Sequence, residues 1–321
     1  FFLDLPSQKF YWKPFHLIQT KDTPFGKLQV VKTAEQISLY NNSLLVYSYP
    51  DISTSEESVH FALLQNPKAQ NALLIGGGAG GSLRQVLKYP QLKVDYVELD
   101  PEIIRLSLRF LPEKERLTLQ NERISIFYQD GRSFLNETPK KYDTIILNLP
   151  EPATAQINRF YTKEFYLKVR DRLNDRGLFS FRVPSAENYI SPELQNFLAS
   201  LYYTLKEVFP SVEIVPGNMN IFLASSYLTP LDREDINQKI ETLNLQNTYI
   251  SPSLLSSRLS PLRVESLKKR VLSGKKNINL DLAPISYFYN SVLWSMQFRG
   301  IEEKLFSFFS KMGTFWMLDF P

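Results

Sequence analysis

Five compact apolar runs, separated by helical stretches, constrain this chain most: "NALLIGG" (71–77), "KVDYVELD" (93–100), "RISIFYQDG" (123–131), "YDTIILN" (142–148) and "GLFSFRV" (177–183). Each of the first four ends in Gly, Asp or Asn. Between them lie "GSLRQVLKY", "PEIIRLSLRFL", "RSFLNE" and "YTKEFYLKVRDRL". Regular alternation of strand and helix predicts a parallel sheet wound on both faces, with chemistry at the strand ends.

The flanks read differently. Residues 15–49 hold "FHLIQT", "KLQVVKT" and "ISLYNNSLLVYS", divided by "DTPFG" and "YNNS", which predicts a small antiparallel β meander. "STSEESVHFALLQ" (53–65) opens with Ser, Thr and acids before an apolar stripe, a helix start. After the helix "SPELQNFLASLYYTLKEVF" comes "VEIVPGNMNIFLAS" (212–225), a hairpin turning at Pro216-Gly217-Asn218. Beyond Leu228 the segments are polar and helical, then strongly aromatic. The expected organisation is a β meander domain over 1–52, a sheet domain over 53–227 and a helical extension over 228–321.

With 43% apolar and 22% charged residues among 321, the chain can bury a sizeable core. A net charge of +4 without a Lys/Arg block argues against a nucleic-acid partner. The absence of Cys excludes disulfides, thiolate metal sites and a Cys nucleophile, and His16 and His60 alone give little for a metal site or a Ser-His-Asp triad. No metal is therefore expected. No run reaches the roughly 18 apolar residues needed to cross a bilayer.

Chemistry concentrates at the strand ends. "GGGAGG", Gly76 to Gly81, lies between a strand and a helix, where glycines allow close backbone approach and a helix amino end offers free N–H groups. Glu98 closes "VE", about 20 residues further on, where an acid can accept ribose hydroxyls. Asp130 of "QDG", followed by Gly131, is placed to hold an adenine amino group. The alternative for both acids is helix capping in a bare scaffold. Three consecutive strand ends with the needed groups predict a nucleoside-type ligand.

Taken together, "NALLIGGGAGGSLRQVLKYP", "VDYVELDPEIIRLS", "RISIFYQDGRSFL", "YDTIILNLPEP" and "FYTKEFYLKVRDRLNDRGLFSF" resemble the polyamine aminopropyltransferases, the spermidine synthase family. The resemblance covers about residues 15–225 and implies a Rossmann-like, class I methyltransferase-type sheet with a small N-terminal β domain, often dimeric. It implies binding of decarboxylated S-adenosylmethionine and transfer of its aminopropyl group to an amine. Carried over by position, Gly76, Gly77, Gly78, Ala79 and Gly80 face the cofactor's tail, Glu98 its ribose, and Asp130 with Gly131 its adenine.

The amine half departs from the family pattern. The glycine loop carries Ala79 where the family has an acid that meets the cofactor's ammonium. "LNLPEP" offers Asn148 and Glu151 for the two acids of the family's catalytic loop. "SEESVHF" keeps Glu56 and His60 near the amine channel but has Val59 and Phe61 where the family has a Tyr and an acid. An amine with a solution pKa of about 10.4 must lose a proton before it attacks, and Asn cannot take one. Catalysis would rest on Asn148 for orientation and Glu151 as the acid, with Glu56, His60 and Glu151 toward the amine. His60 also reads as a packed histidine on the apolar side of its helix. Without an acid at position 79, intact S-adenosylmethionine becomes an alternative cofactor. Three readings follow: an aminopropyltransferase, a non-catalytic cofactor-sensing domain, or a methyltransferase.

"NLPEPATAQINRFYT" with the tail "SPLRVESLKKRV…NLDLAPISYFYNSVLWSMQF" also resembles spermidine-synthase-like domains fused to membrane-spanning helices. That implies a soluble domain attached to a membrane through segments outside this chain, with the cytoplasmic side favoured because the cofactor is made there. Lys304, Lys311 and the Phe residues between them would suit a membrane-surface helix.

Overall fold

The computed structural model describes residues 12–187, 189–229 and 231–296. The aromatic stretch around Lys304 and Lys311 lies outside the described residues.

Four strands, β1 (His16–Thr23), β2 (Gly26–Thr33), β3 (Gln36–Asn41) and β4 (Leu44–Tyr49), form an antiparallel meander in chain order. One face alternates inward with Leu28, Val30 and Leu39, which join the core of the larger domain. Two hydroxyls tie the meander down: Thr23 donates to Asp100 at 2.7 Å, and Tyr47 pairs with Ser107 at 2.7 Å.

Helix α1 (Ile52–Leu63) follows, capped by Asp51, whose carboxylate accepts from the Thr54 N–H. The cap is thus an Asp two residues before the Ser/Thr start expected from sequence. Next come β5 (Asn71–Ile75), α2 (Ser82–Val86), β6 (Lys93–Glu98), α3 (Pro101–Phe110), α4 (Glu113–Leu119), β7 (Ile124–Tyr128), α5 (Gly131–Glu137) and β8 (Tyr142–Leu147). The turn α6 (Ala155–Asn158), α7 (Lys163–Asp171), β9 (Leu173–Pro184), α8 (Pro192–Lys206), β10 (Ser211–Val215) and β11 (Met219–Ser225) complete the domain.

Seven strands form one sheet in the order β10-β11-β9-β8-β5-β6-β7. The five from β9 to β7 are parallel, and the β10–β11 hairpin adds antiparallel to β9. The order reverses between β5 and β8, the switch point where loops diverge and a crevice opens at the carboxyl ends. One apolar cluster, including Leu74, Val94, Ile104 and Phe61, fills the α1 face; a second, rich in Tyr161, Phe165, Tyr166, Phe179 and Phe181, fills the other.

Four further helices, α9 (Arg233–Thr242), α10 (Pro252–Arg258), α11 (Pro261–Leu272) and α12 (Ile285–Met296), lie beyond the hairpin. They are part of the core: Ile236 and Leu255 join the first cluster, Leu267 and Val271 the second. Among the described residues no helix is long and apolar enough to cross a membrane.

Candidate functional site

At the end of β5 the chain turns through Gly76 and Gly77, with φ of +72° and +59°, a left-handed conformation that side chains disfavour. A Cβ on Gly77 would also lie 2.7 Å from the Asn148 amide nitrogen. That amide donates to the Gly77 carbonyl at 3.0 Å and to the Ser82 hydroxyl at 3.1 Å. Because a carbonyl can only accept, the nitrogen must face Gly77, which fixes the amide's orientation. Asn148 therefore clasps the end of β8 to the glycine turn.

The second strand end carries Glu98, which is 6% exposed. Tyr96 donates its hydroxyl to Glu98 Oε2 at 2.8 Å, and that hydroxyl accepts the Gly78 N–H at 3.2 Å. The glycine turn is thus wired to the acid at the end of the adjacent strand. Burial pushes the Glu98 carboxyl from 4.5 up to about 7, against the opposing hydrogen bonds from Tyr96, Asp100 and Leu99. Each carboxylate oxygen retains a lone pair for a ribose hydroxyl.

Asp130 caps a helix, the alternative weighed for it from sequence. Its Oδ1 caps α5, accepting the Arg132 and Ser133 N–H groups at 3.0 and 3.1 Å. Its Oδ2 pairs with the Arg159 guanidinium. An adenine amino group would share Oδ2 with Arg159.

These groups line one cleft of about 400 Å³, the size of a small-molecule site. Gly76, Gly77, Glu98, Asp130, Gly131 and Asn148 are all on its wall. Ile75, Val97, Leu99, Ile103, Ile157 and Phe160 give it apolar surface, and Phe25, Asn41, Asn42 and Leu44 bring the meander over it. The other predicted residues are elsewhere. Ala79 is buried at 3% exposure, Gly78 packs on the Tyr96 ring and Gly80 on Tyr47, all three outside the cleft wall.

Toward the amine side, Glu56 faces the interior, where its carboxylate accepts three N–H groups from Thr248, Tyr249 and Ile250 at 2.8–2.9 Å. Lys88 stands 3.8 Å away. His60, with no exposed surface, bonds Tyr89 at 2.9 Å and Gln85 at 3.2 Å, and burial lowers it to about 4, so it is neutral and packed at pH 7. Glu151 is half-buried in the loop after β8, beyond the cleft wall. Glu57, which follows Glu56 in α1 and was not singled out from sequence, is buried and pairs with Arg258 of α10.

Arg159 and Asp100, on the cleft wall, and Arg258, which holds Glu57, are residues that pattern reading missed. Asp100 had a local signal, standing as the cap before Pro101. The two arginines had none, because their partners lie 29 and 201 residues away. Among the described residues no group of three His, Asp or Glu is placed to hold a metal.

A sheet in this order, with a glycine turn and acids at adjacent strand ends around one cleft, defines an α/β domain of the class I methyltransferase type. Residues 52–231 match the spermine/spermidine synthase domain, and the chain belongs to that family. It is 32% identical over 246 residues to the polyamine aminopropyltransferase of Korarchaeum cryptofilum, covering 74% of this chain and 73% of that protein. It is 28% identical over 256 residues to the polyamine aminopropyltransferase of Oceanobacillus iheyensis, covering 78% of this chain and 48% of that protein. The chain spans 48% and 55% of the Oceanobacillus and Aquifex aeolicus relatives. A spermidine synthase solved with the transition state analogue AdoDATO superposes with a TM-score of 0.67 at 21% identity, over 80% of this chain and 88% of that one.

Proposed function

We propose that this chain binds decarboxylated S-adenosylmethionine in the cleft at the ends of β5, β6, β7 and β8, and transfers its aminopropyl group to an amine. When bound, that cofactor supplies an alkyl carbon activated by a sulfonium. The protein's part is positional, holding nucleophile and electrophile in line. Glu98 accepts the ribose hydroxyls, Asp130 the adenine amino group, and the Gly76-Gly77 turn lets the backbone approach the tail. Asn148 keeps the turn in shape. Glu151, the carboxylate of the loop after β8, is assigned the proton of the attacking amine.

The observation that carries this reading is the convergence of Glu98, Asp130 and the glycine turn on one cleft of nucleoside size. A second reading, a cofactor-sensing domain without catalysis, is favoured by the engagement of Asn148 and Glu56 in the scaffold. Calorimetric titration with decarboxylated S-adenosylmethionine, S-adenosylmethionine and methylthioadenosine tests the binding half. Binding of none of the three sinks both readings. Mass spectrometry after incubation with the decarboxylated cofactor and a panel of amines decides between them: alkylated amine and methylthioadenosine appear if the chain is a transferase.

A further inference from the structure

A second cavity, of about 130 Å³, lies between helix α11, the loop that leaves β9 and the hairpin turn at Pro216-Gly217-Asn218. It shares no lining residue with the cleft. Its helical wall follows from sequence spacing: Arg263, Ser266, Leu267 and Arg270 stand at i, i+3, i+4 and i+7 of α11, one stripe of a helix. Leu267 is buried in the second apolar cluster and so turns this stripe inward, which sets the two guanidinium groups and the hydroxyl along the cavity. Arg263 is held from two sides, its Nη1 donating to the Ser257 hydroxyl at 3.4 Å and its Nη2 standing 3.0 Å from Glu187 Oε1. Arg270, two turns further on, is exposed and pairs with no carboxylate among the described residues. Arg263 and Arg270 against Glu187 leave the wall with one positive charge in excess.

The floor adds a donor of a different kind. Asn220, at the start of β11, lines the cavity and is 1% exposed. Its Oδ1 accepts the Gly217 N–H at 3.1 Å. Because an N–H can only donate, the oxygen must face Gly217, and the amide cannot be turned round. Its Nδ2 is then left without a partner among the described residues. A buried donor with no acceptor is costly, and an acceptor that reaches it from the cavity relieves that cost. Two guanidinium groups, a hydroxyl and this amide thus surround a space large enough for a single small group and too small for a nucleoside.

We propose that this cavity binds a small oxyanion, a phosphate or carboxylate group, held by Arg263 and Arg270 of α11 and by Asn220 of β11. Guanidinium forks match both kinds of group, and hydrogen bonds to a charged acceptor are the strong ones. Since the donors come from a helix of the extension and from the sheet, a bound anion joins the two. The site stands apart from the cleft and does not depend on what the cleft binds.

The probes are sodium phosphate and sodium acetate, titrated into the whole chain by calorimetry against sodium chloride of equal ionic strength. At least one of the two is expected to bind, one per chain, and the tighter identifies the group. Arg270→Gln, on an exposed position, is expected to weaken that binding by about tenfold or more. Asn220→Asp keeps an acceptor for the Gly217 N–H but replaces the free donor by a carboxylate oxygen, and is expected to abolish it. Lys269→Gln removes the same charge from a neighbouring position of α11 that is off the cavity wall, and should change the affinity by less than about twofold. Thermal unfolding shows whether each variant is folded, and Arg270→Gln decides alone should Asn220→Asp not be. Binding of neither anion by the wild type overturns the proposal, as does an affinity unmoved in Arg270→Gln or lowered equally by Lys269→Gln. Displacement of the anion by methylthioadenosine overturns it too, because it would put the anion in the cleft.

Discussion

Glu98 combines the binding task proposed for it with a stability cost. Its carboxyl is raised by burial from 4.5 to about 7, so its contribution to stability is fully present below about pH 4.5 and lost as pH rises through about 7. Glu98→Gln keeps the shape and cannot ionise. The variant is expected to be more stable than the wild type by about 1–3 kcal/mol at about pH 8.5, with no gain near pH 5, read as Tm across the range. It should also bind methylthioadenosine about tenfold or more weakly, because the ribose loses a charged acceptor. In the wild type the same affinity should climb between about pH 6 and 8. Asn148 gives the opposite balance. Asn148→Asp restores an acid at the family position but sets a carboxylate against the Gly77 carbonyl, now 3.0 Å from the amide nitrogen. A loss of about 1–3 kcal/mol in urea denaturation is expected, smaller as pH falls toward the aspartate's own range. Glu98 and Asp130 were legible because a strand end shows in the local pattern. The clasp of Asn148 was not, because it depends on how two loops separated by 71 residues meet.

At the level of elements, the sheet was read well where hydrophobic runs and terminators agreed. The meander, the parallel strands and the hairpin at Pro216-Gly217-Asn218 stand as expected. Strand β9 begins at Leu173, before the expected "GLFSFRV", because Leu173 pairs with Tyr142 of β8 and the ladder resumes at Leu178, with Asn174 to Gly177 forming an irregularity between the two pairs. Of the glycine turn only the first two residues line the cleft, while Gly78 and Gly80 pack on Tyr96 and Tyr47 and Ala79 is buried. Asp130 caps helix α5 and, on the proposed function, also meets the ligand. Asp130→Asn keeps a side-chain oxygen for the cap and should change stability by less than about 0.5 kcal/mol, whereas Asp130→Ala should lose about 1 kcal/mol. The Asn variant, however, can donate as well as accept. Wild type is expected to bind methylthioadenosine about tenfold tighter than its 6-oxo counterpart, and Asp130→Asn to lose most of that preference, by calorimetry. An unchanged preference would show that Asp130 only caps.

For the whole molecule, the helices beyond the hairpin are joined to α1 through two of its carboxylates. Glu56 holds the turn entering α10 through three backbone N–H groups, and Glu57 holds α10 itself through Arg258. Sequence pattern marked this extension as polar and helical but could not show these links, since Glu57 and Arg258 are 201 residues apart. Both side chains are buried, and a buried pair is strongly destabilising to break because one charge is left unpaired. Arg258→Met is therefore expected to lose about 3–5 kcal/mol near neutral pH, with the Pro216 and Met219 carbonyls also orphaned. The loss should depend on pH in a defined direction. Burial already raises the Glu57 carboxyl and Arg258 opposes that rise, so without the arginine it goes higher still. A raised acid costs stability as pH climbs through its folded value, so the deficit of Arg258→Met should shrink as pH falls from about 8 toward 5. Glu57→Gln combined with Arg258→Met should recover part of the loss and remove this pH dependence. Urea denaturation of the three variants at each pH measures it, and a deficit that stays constant with pH would mean that the carbonyl contacts of Arg258, and not its charge on Glu57, anchor the extension.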